Sequence, residues 1–159
     1  MISVSKTVPV NPEGEAVVLS RSDVWRGLEL KANNALPFVP AMTRCDVIET
    51  HGNVIVREVE FRGQQLGERV TLEPEERVTF ERTHGEVLGT ILNEILEPRP
   101  GELELRFSFD LVLEGVEAGS KEEQDYAETM RGDYLKAVDA TLAAIRRWVR
   151  EGDPAAASG

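Results

Sequence analysis

Residues 103–113 alternate along their length: Leu103, Leu105, Phe107, Phe109, Leu111 and Leu113 are apolar, and Glu104, Arg106, Ser108 and Asp110 between them are polar or charged. A period of two over this length marks a strand with one buried face and one wet face. A glycine-rich turn (Gly115, Gly119) follows, and Ser120-Lys121-Glu122-Glu123 has the form of a capping box that opens a helix. That helix places Tyr126, Met130, Tyr134, Ala137, Val138, Thr141, Leu142, Ile145 and Val149 on a single stripe. A one-faced strand feeding a one-faced long helix predicts a curved sheet gripping the helix, with a cavity between them.

The 159 residues suit one domain with one continuous core, expected over residues 1–151. The remainder, residues 152–159, is Gly-Asp-Pro followed by small residues and is expected to be a disordered tail. A net charge of −11 argues against nucleic acid or an anionic membrane as partner. No apolar run is long enough to span a bilayer, and the N-terminus lacks a basic region followed by an apolar stretch. With Cys45 as the single cysteine, no internal disulfide can form, and a cytoplasmic location is expected.

Residues 2–10 read as an edge strand, since Pro9 would not sit in a central one. Ser20-Arg21-Ser22-Asp23 caps a first helix with Val24, Trp25, Leu28 and Ala32 inward, ended by Asn33-Asn34. Residues 36–40, bounded by prolines, read as a turn or a single helical turn. From residue 42 to 113, strand signals are broken by turn signals at 51–53, 63–65, 73–76, 84–85 and 97–101. Such short connections predict an antiparallel meander, because parallel strands need long crossovers. The class is α+β: about seven curved antiparallel strands gripping a long C-terminal helix, with one or two short helices after the first strand.

Particular residues add a resemblance: Trp25-Arg26-Gly27-Leu28, Lys31-Ala32, Phe38-Val39-Pro40, Cys45-Asp46-Val47, Arg57-Glu58-Val59-Glu60-Phe61 and the stretch 115–123. With the order of elements, they make the chain similar to the START-like (SRPBCC) helix-grip superfamily, and within it to the AtaL-like family. That superfamily includes the birch-pollen allergen, lipid-transfer domains and polyketide aromatase/cyclases. The resemblance implies a helix-grip, ligand-binding fold more than a particular reaction.

Requiring the apolar faces of neighbouring strands to coincide gives each hairpin a register. A turn at His84-Gly85 sets Phe80 opposite Gly89 and Arg82 opposite Val87, and a proline turn at 98–100 sets Ile91 opposite Phe107 and Gly89 opposite Phe109. A turn at 73–76 pairs Val70 with Phe80 and Glu68 with Arg82, and one at Gly63-Gln64 leaves Arg57 diagonal to Glu68. The inner face then carries Arg57, Glu68, Arg82 and Asn93 among apolar residues. Two arginines against one carboxylate leave a positive charge unpaired, which costs on the order of several kcal/mol when buried. The simpler outcome is a rim salt bridge with the arginine heads in water. The other is a carboxylate or enolate ligand.

The candidate ligand-binding residues are Arg57, Glu68, Phe80, Arg82, Asn93, Phe107, Phe109, Met130 and Tyr134. No catalytic residue is assigned. His51 and His84 sit at turns beside glycine, Cys45 reads as a small buried hydrophobe, and no cluster has metal-ligand spacing. No metal and no cofactor are expected. The leading expectation is binding of a hydrophobic or aromatic small molecule between sheet and C-terminal helix. The alternatives are an aromatase/cyclase-like enzyme of secondary metabolism, in which an Arg or Tyr polarises a carbonyl, and a stress-response or protein-interaction module with a filled core.

Overall fold

The computed structural model describes residues 2–85 and 87–151 apart from the side chain of Tyr134, so the expected tail at 152–159 lies outside the described residues. The chain runs β1 (Ile2–Pro9), α1 (Arg21–Asn33), β2 (Met42–His51), β3 (Val54–Phe61), β4 (Gln64–Glu73), β5 (Arg77–His84), β6 (Val87–Arg99), β7 (Glu102–Leu113) and α2 (Lys121–Glu151). The seven strands form one antiparallel, curved sheet in the order β1-β7-β6-β5-β4-β3-β2. Every neighbour except the β1–β7 pair is a sequential hairpin, which is what short turn-bounded strands dictate. The expected α+β helix-grip class is the one observed.

Local chemistry starts both helices. In α1 the Ser20 hydroxyl accepts from the Asp23 amide at 3.1 Å, and the Asp23 carboxylate accepts from the Ser20 amide at 2.8 Å. In α2 the Ser120 hydroxyl accepts from Glu123 N at 3.2 Å, but the Glu123 carboxylate reaches back one residue further than expected, to Gly119 N at 3.1 Å. The inner stripe of α2 buries Met130, Ala137, Val138, Thr141, Leu142 and Ile145, whereas Val149 is exposed. Helices α1 and α2 touch through Gly27, where a Cβ would stand 2.3 Å from Ile145 Cδ1, so any larger residue would have to push the Ile145 side chain aside. Residues 35–39 form the single turn anticipated there, and it buries Phe38 edge-on against Trp148 at 5.0 Å.

Three hairpin registers differ from the expected ones, each by two residues. Arg82 pairs with Gly89 and Phe80 with Ile91. Across the next hairpin Asn93 pairs with Phe107, Ile91 with Phe109 and Gly89 with Leu111. Arg57 lies directly opposite Glu68 rather than diagonal to it. In each case the turn centres one residue away from the predicted place. The β3–β4 turn sits on Arg62 and Gly63, both with positive φ (50° and 79°), and Gly85 and Gly101 supply positive φ at the other two (125° and 83°). A shift of two keeps every side chain on its own face, so the inner-face set survives while its neighbours change. Gly89 therefore lies opposite Arg82 and Leu111, not Phe80 and Phe109. A Cβ there would meet the Asp110 carbonyl oxygen at 2.0 Å, so the glycine answers a close backbone approach.

Candidate functional site

Cross-strand register lines up Arg57 on β3, Glu68 on β4 and Arg82 on β5 in one row of the concave face. All are withdrawn from solvent, with 2%, 2% and 8% of their surface exposed. The rim salt bridge with hydrated heads is thus not the arrangement adopted. Arg57 is fully engaged: Nε and Nη2 lie 2.9 and 2.8 Å from Glu68 Oε1, and Nη1 donates to the carbonyls of Lys31 (3.0 Å) and Ala32 (2.9 Å). Those carbonyls belong to the last turn of α1, which has no helical partners of its own for them. Arg57 therefore caps that helix with positive charge where the helix dipole favours it. Its buried cation is explained by structure alone.

Arg82 is not so explained. Its Nε is 3.6 Å from Glu68 Oε2, an ion-pair distance but too long for a hydrogen bond, and both Nε and Nη1 are buried without a hydrogen-bond partner. The Tyr126 phenol of α2 faces this guanidinium; burial raises its pKa, and the Arg82 charge acts in the opposite sense.

Lys31, on the last turn of α1, brings an amine to the same place, only 5% exposed. Its Nζ donates to Asn93 Oδ1 at 2.5 Å and lies 4.0 Å and 5.3 Å from the ring centroids of Phe107 and Phe80. Burial first, and the Arg57 guanidinium second, lower its pKa to about 7, with Glu68 opposing them. Sequence reading missed Lys31 as a site residue. The signal was present, because it lies three residues after Leu28 and seven after Val24, on the inner stripe of α1.

These side chains surround a cavity of about 40 Å³, lined by Lys31, Val39, Met42, Arg57, Phe61, Glu68, Phe80, Arg82, Ile91, Asp133 and Ala137. That admits a group the size of a carboxylate, roughly three water-sized units, and not a whole drug-sized molecule. Asp133 on α2 is bound through both oxygens by Arg62 from the β3–β4 turn, a latch between sheet and helix beside the cavity. Outside it an open groove of about 420 Å³ runs between the sheet end and the start of α2, bordered by Gln64, Leu113, Val116, Tyr126 and Thr129. Tyr126 thus stands between groove and Arg82.

Of the nine candidate residues, Arg57, Glu68, Phe80 and Arg82 line the cavity, and Asn93 and Phe107 hold the Lys31 amine beside it. Phe109 and Met130 are buried in the core and are absent from the cavity wall. The Tyr134 side chain lies outside the described residues. Lys31, Tyr126 and Asp133 join the site from the helices.

A curved antiparallel sheet closed by a long C-terminal helix, with polar groups converging beneath it, defines a START-like helix-grip protein. More particularly, the chain belongs to the AtaL family: the family model described as Acetylaranotin biosynthesis cluster protein L matches residues 4–152. No curated protein matches the sequence significantly. Among solved structures, the ZhuI aromatase/cyclase from a Streptomyces species is similar with a TM-score of 0.72 and 17% identity, covering 94% of this chain and 96% of that one. A START superfamily protein from Mycobacterium smegmatis gives 0.62 and 16%, covering 91% and 99%. The di-domain aromatase/cyclase StfQ from the steffimycin biosynthetic pathway gives 0.65 and 13%, covering 94% of this chain and 52% of that one. At these identities the likeness concerns the fold. No helix among the described residues is long and apolar enough to cross a membrane.

Proposed function

We propose that the protein binds a hydrophobic or aromatic small molecule bearing a carboxylate or enolate, with the acidic group in the cavity against Arg82 and the apolar body in the groove beyond Tyr126. The observation that carries this reading is the pair of buried, unpartnered donors on Arg82. Leaving a buried donor unpaired costs about 1–3 kcal/mol, more for a charged group, and an anionic ligand removes that cost. Two guanidinium cations line the cavity, Arg57 and Arg82, against Glu68 and an Asp133 already neutralised by Arg62, so the local balance favours an anion even with the Lys31 amine uncharged. The groove is bordered by Glu114, Glu122 and Asp125, which disfavours a second acidic group at the outer end of the ligand.

A thermal-shift series of aromatic carboxylates against their amides tests it. Carboxylates are expected to stabilise the wild type, and Arg82→Gln is expected to lose that shift. Equal shifts for acid and amide would overturn the reading.

The second reading is an aromatase/cyclase-like enzyme, supported by the Tyr126 phenol facing Arg82 in a fold like that of ZhuI. Two convergent donors of this kind can stabilise negative charge developing on a carbonyl oxygen. Turnover of a poly-β-keto probe by the wild type, lost in Tyr126→Phe with binding retained, distinguishes it from binding alone.

A further inference from the structure

Among the titratable side chains lining the cavity, Lys31 is the one that neither the salt-bridge row, the cap of α1 nor the Arg62–Asp133 latch accounts for. Its Nζ has a single hydrogen bond, to the neutral Asn93 amide oxygen, and rests on the faces of Phe107 and Phe80. Among the described residues it pairs with no carboxylate. Glu68 is occupied by Arg57 and approached by Arg82, and Asp133 is held by Arg62.

A cation–π contact returns only part of what burying an ammonium without a countercharge costs. The guanidinium of Arg57 adds repulsion. The environment therefore favours a neutral amine, with one N–H on Asn93 and a lone pair available to the cavity that Lys31 lines. A buried lysine beside a second cation is the arrangement that makes an amine nucleophilic near neutral pH.

We infer that Lys31 is a nucleophilic amine that condenses with the carbonyl group of an aldehyde or ketone whose acidic group lies on Arg82, holding it as an imine. The inference rests on the proposed anion site. In the step, the Nζ lone pair forms a C–N bond to the carbonyl carbon while the carbonyl oxygen takes up a proton released from nitrogen. The carbinolamine then loses its hydroxyl with the second nitrogen proton as water, and the C=N bond forms. No oxidant or reductant is consumed. Arg57, Glu68, Arg82 and Asp133 are the charged groups that line the cavity with this amine, and the Tyr126 phenol stands against Arg82.

The probe is glyoxylate, which carries aldehyde and carboxylate in a molecule small enough for the cavity, with cyanoborohydride to fix any imine and peptide mass mapping to locate it. The chain has four lysines, Lys6, Lys31, Lys121 and Lys136, so the other three serve as internal controls. At neutral pH Lys31 is expected to be alkylated at least about tenfold faster than any of them, an advantage that shrinks toward pH 10 as ordinary lysines deprotonate. Arg82→Gln is expected to slow glyoxylate at Lys31 by about tenfold and leave formaldehyde unaffected, because only glyoxylate offers an anion. Labelling of Lys31 no faster than the other lysines overturns the inference and makes it a structural cation on two aromatic faces. Benzoate binding then decides the underlying reading separately: an Arg82-dependent thermal shift leaves the anion site standing, and its absence removes both.

Discussion

Arg57 and Glu68 meet in direct cross-strand register, and both Nε and Nη2 of the arginine reach the same carboxylate oxygen, at 2.9 and 2.8 Å. The remaining guanidinium nitrogen holds the last turn of α1. One ion pair thus ties strands β3 and β4 to a helix more than twenty residues earlier, and its geometry separates the structural arginine from Arg82.

Glu68→Gln leaves Arg57 and Arg82 buried without a countercharge and is expected to destabilise the fold by about 3–5 kcal/mol. Urea denaturation at an unchanged m-value measures it. A loss under about 1 kcal/mol would mean that the row behaves like a surface ion pair.

Arg82→Met should behave in the opposite way. Its Nε and Nη1 have no hydrogen-bond partner, and Glu68 keeps Arg57 as its countercharge, so a buried thioether of similar length is expected to change stability by no more than about 1 kcal/mol, in either direction. The same variant is expected to abolish carboxylate-induced thermal shifts. Strong destabilisation without loss of ligand response would reassign Arg82 to structure.

Lys31 should leave a signature in pH. Its pKa falls to about 7 in the fold, and in the unfolded chain it returns to about 10.4. Between those values the unfolded state binds a proton that the folded state does not, so stability rises with pH, and the penalty is fully present below about 7. From pH 7 to 9 the wild type is expected to gain on Lys31→Met by no more than about 1.4 kcal/mol per unit. A constant difference between the two curves across that range would contradict the placement of this amine.

Gly132 lies inside α2 next to the Arg62–Asp133 latch, and a Cβ there would meet nothing within 4 Å. Gly132→Ala is expected to stabilise the helix by about 0.5–1 kcal/mol. If the helix must yield at this point to admit a ligand, the same change slows association measured by stopped-flow fluorescence. An unaltered rate with raised stability would place ligand entry elsewhere.

The alternation of Phe107 and Phe109 with Arg106 and Ser108, and the stripe carrying Met130, Ala137, Val138, Leu142 and Ile145, are sufficient to predict the sheet, the gripping helix and the face these side chains occupy. The register was less legible, since it hangs on which residue of each turn takes positive φ. The move of the β3–β4 turn to Arg62-Gly63 changed the Arg57–Glu68 contact from diagonal to direct. Phe109 and Met130 were drawn into the candidate site because core and cavity share one face in this fold, and only packing distinguishes them.

What the sequence determined by itself is therefore local: periodicity assigns faces, and capping and turn residues assign ends, because both act over a few neighbours along the chain. Which charge is satisfied and which is not was decided by the tertiary structure. The carbonyls that take up Arg57 lie on α1, more than twenty residues earlier, and the amine that joins Arg82 comes from that same helix end. An arginine's partners depend on where distant backbone dipoles come to rest, and no spacing in the chain carries that information.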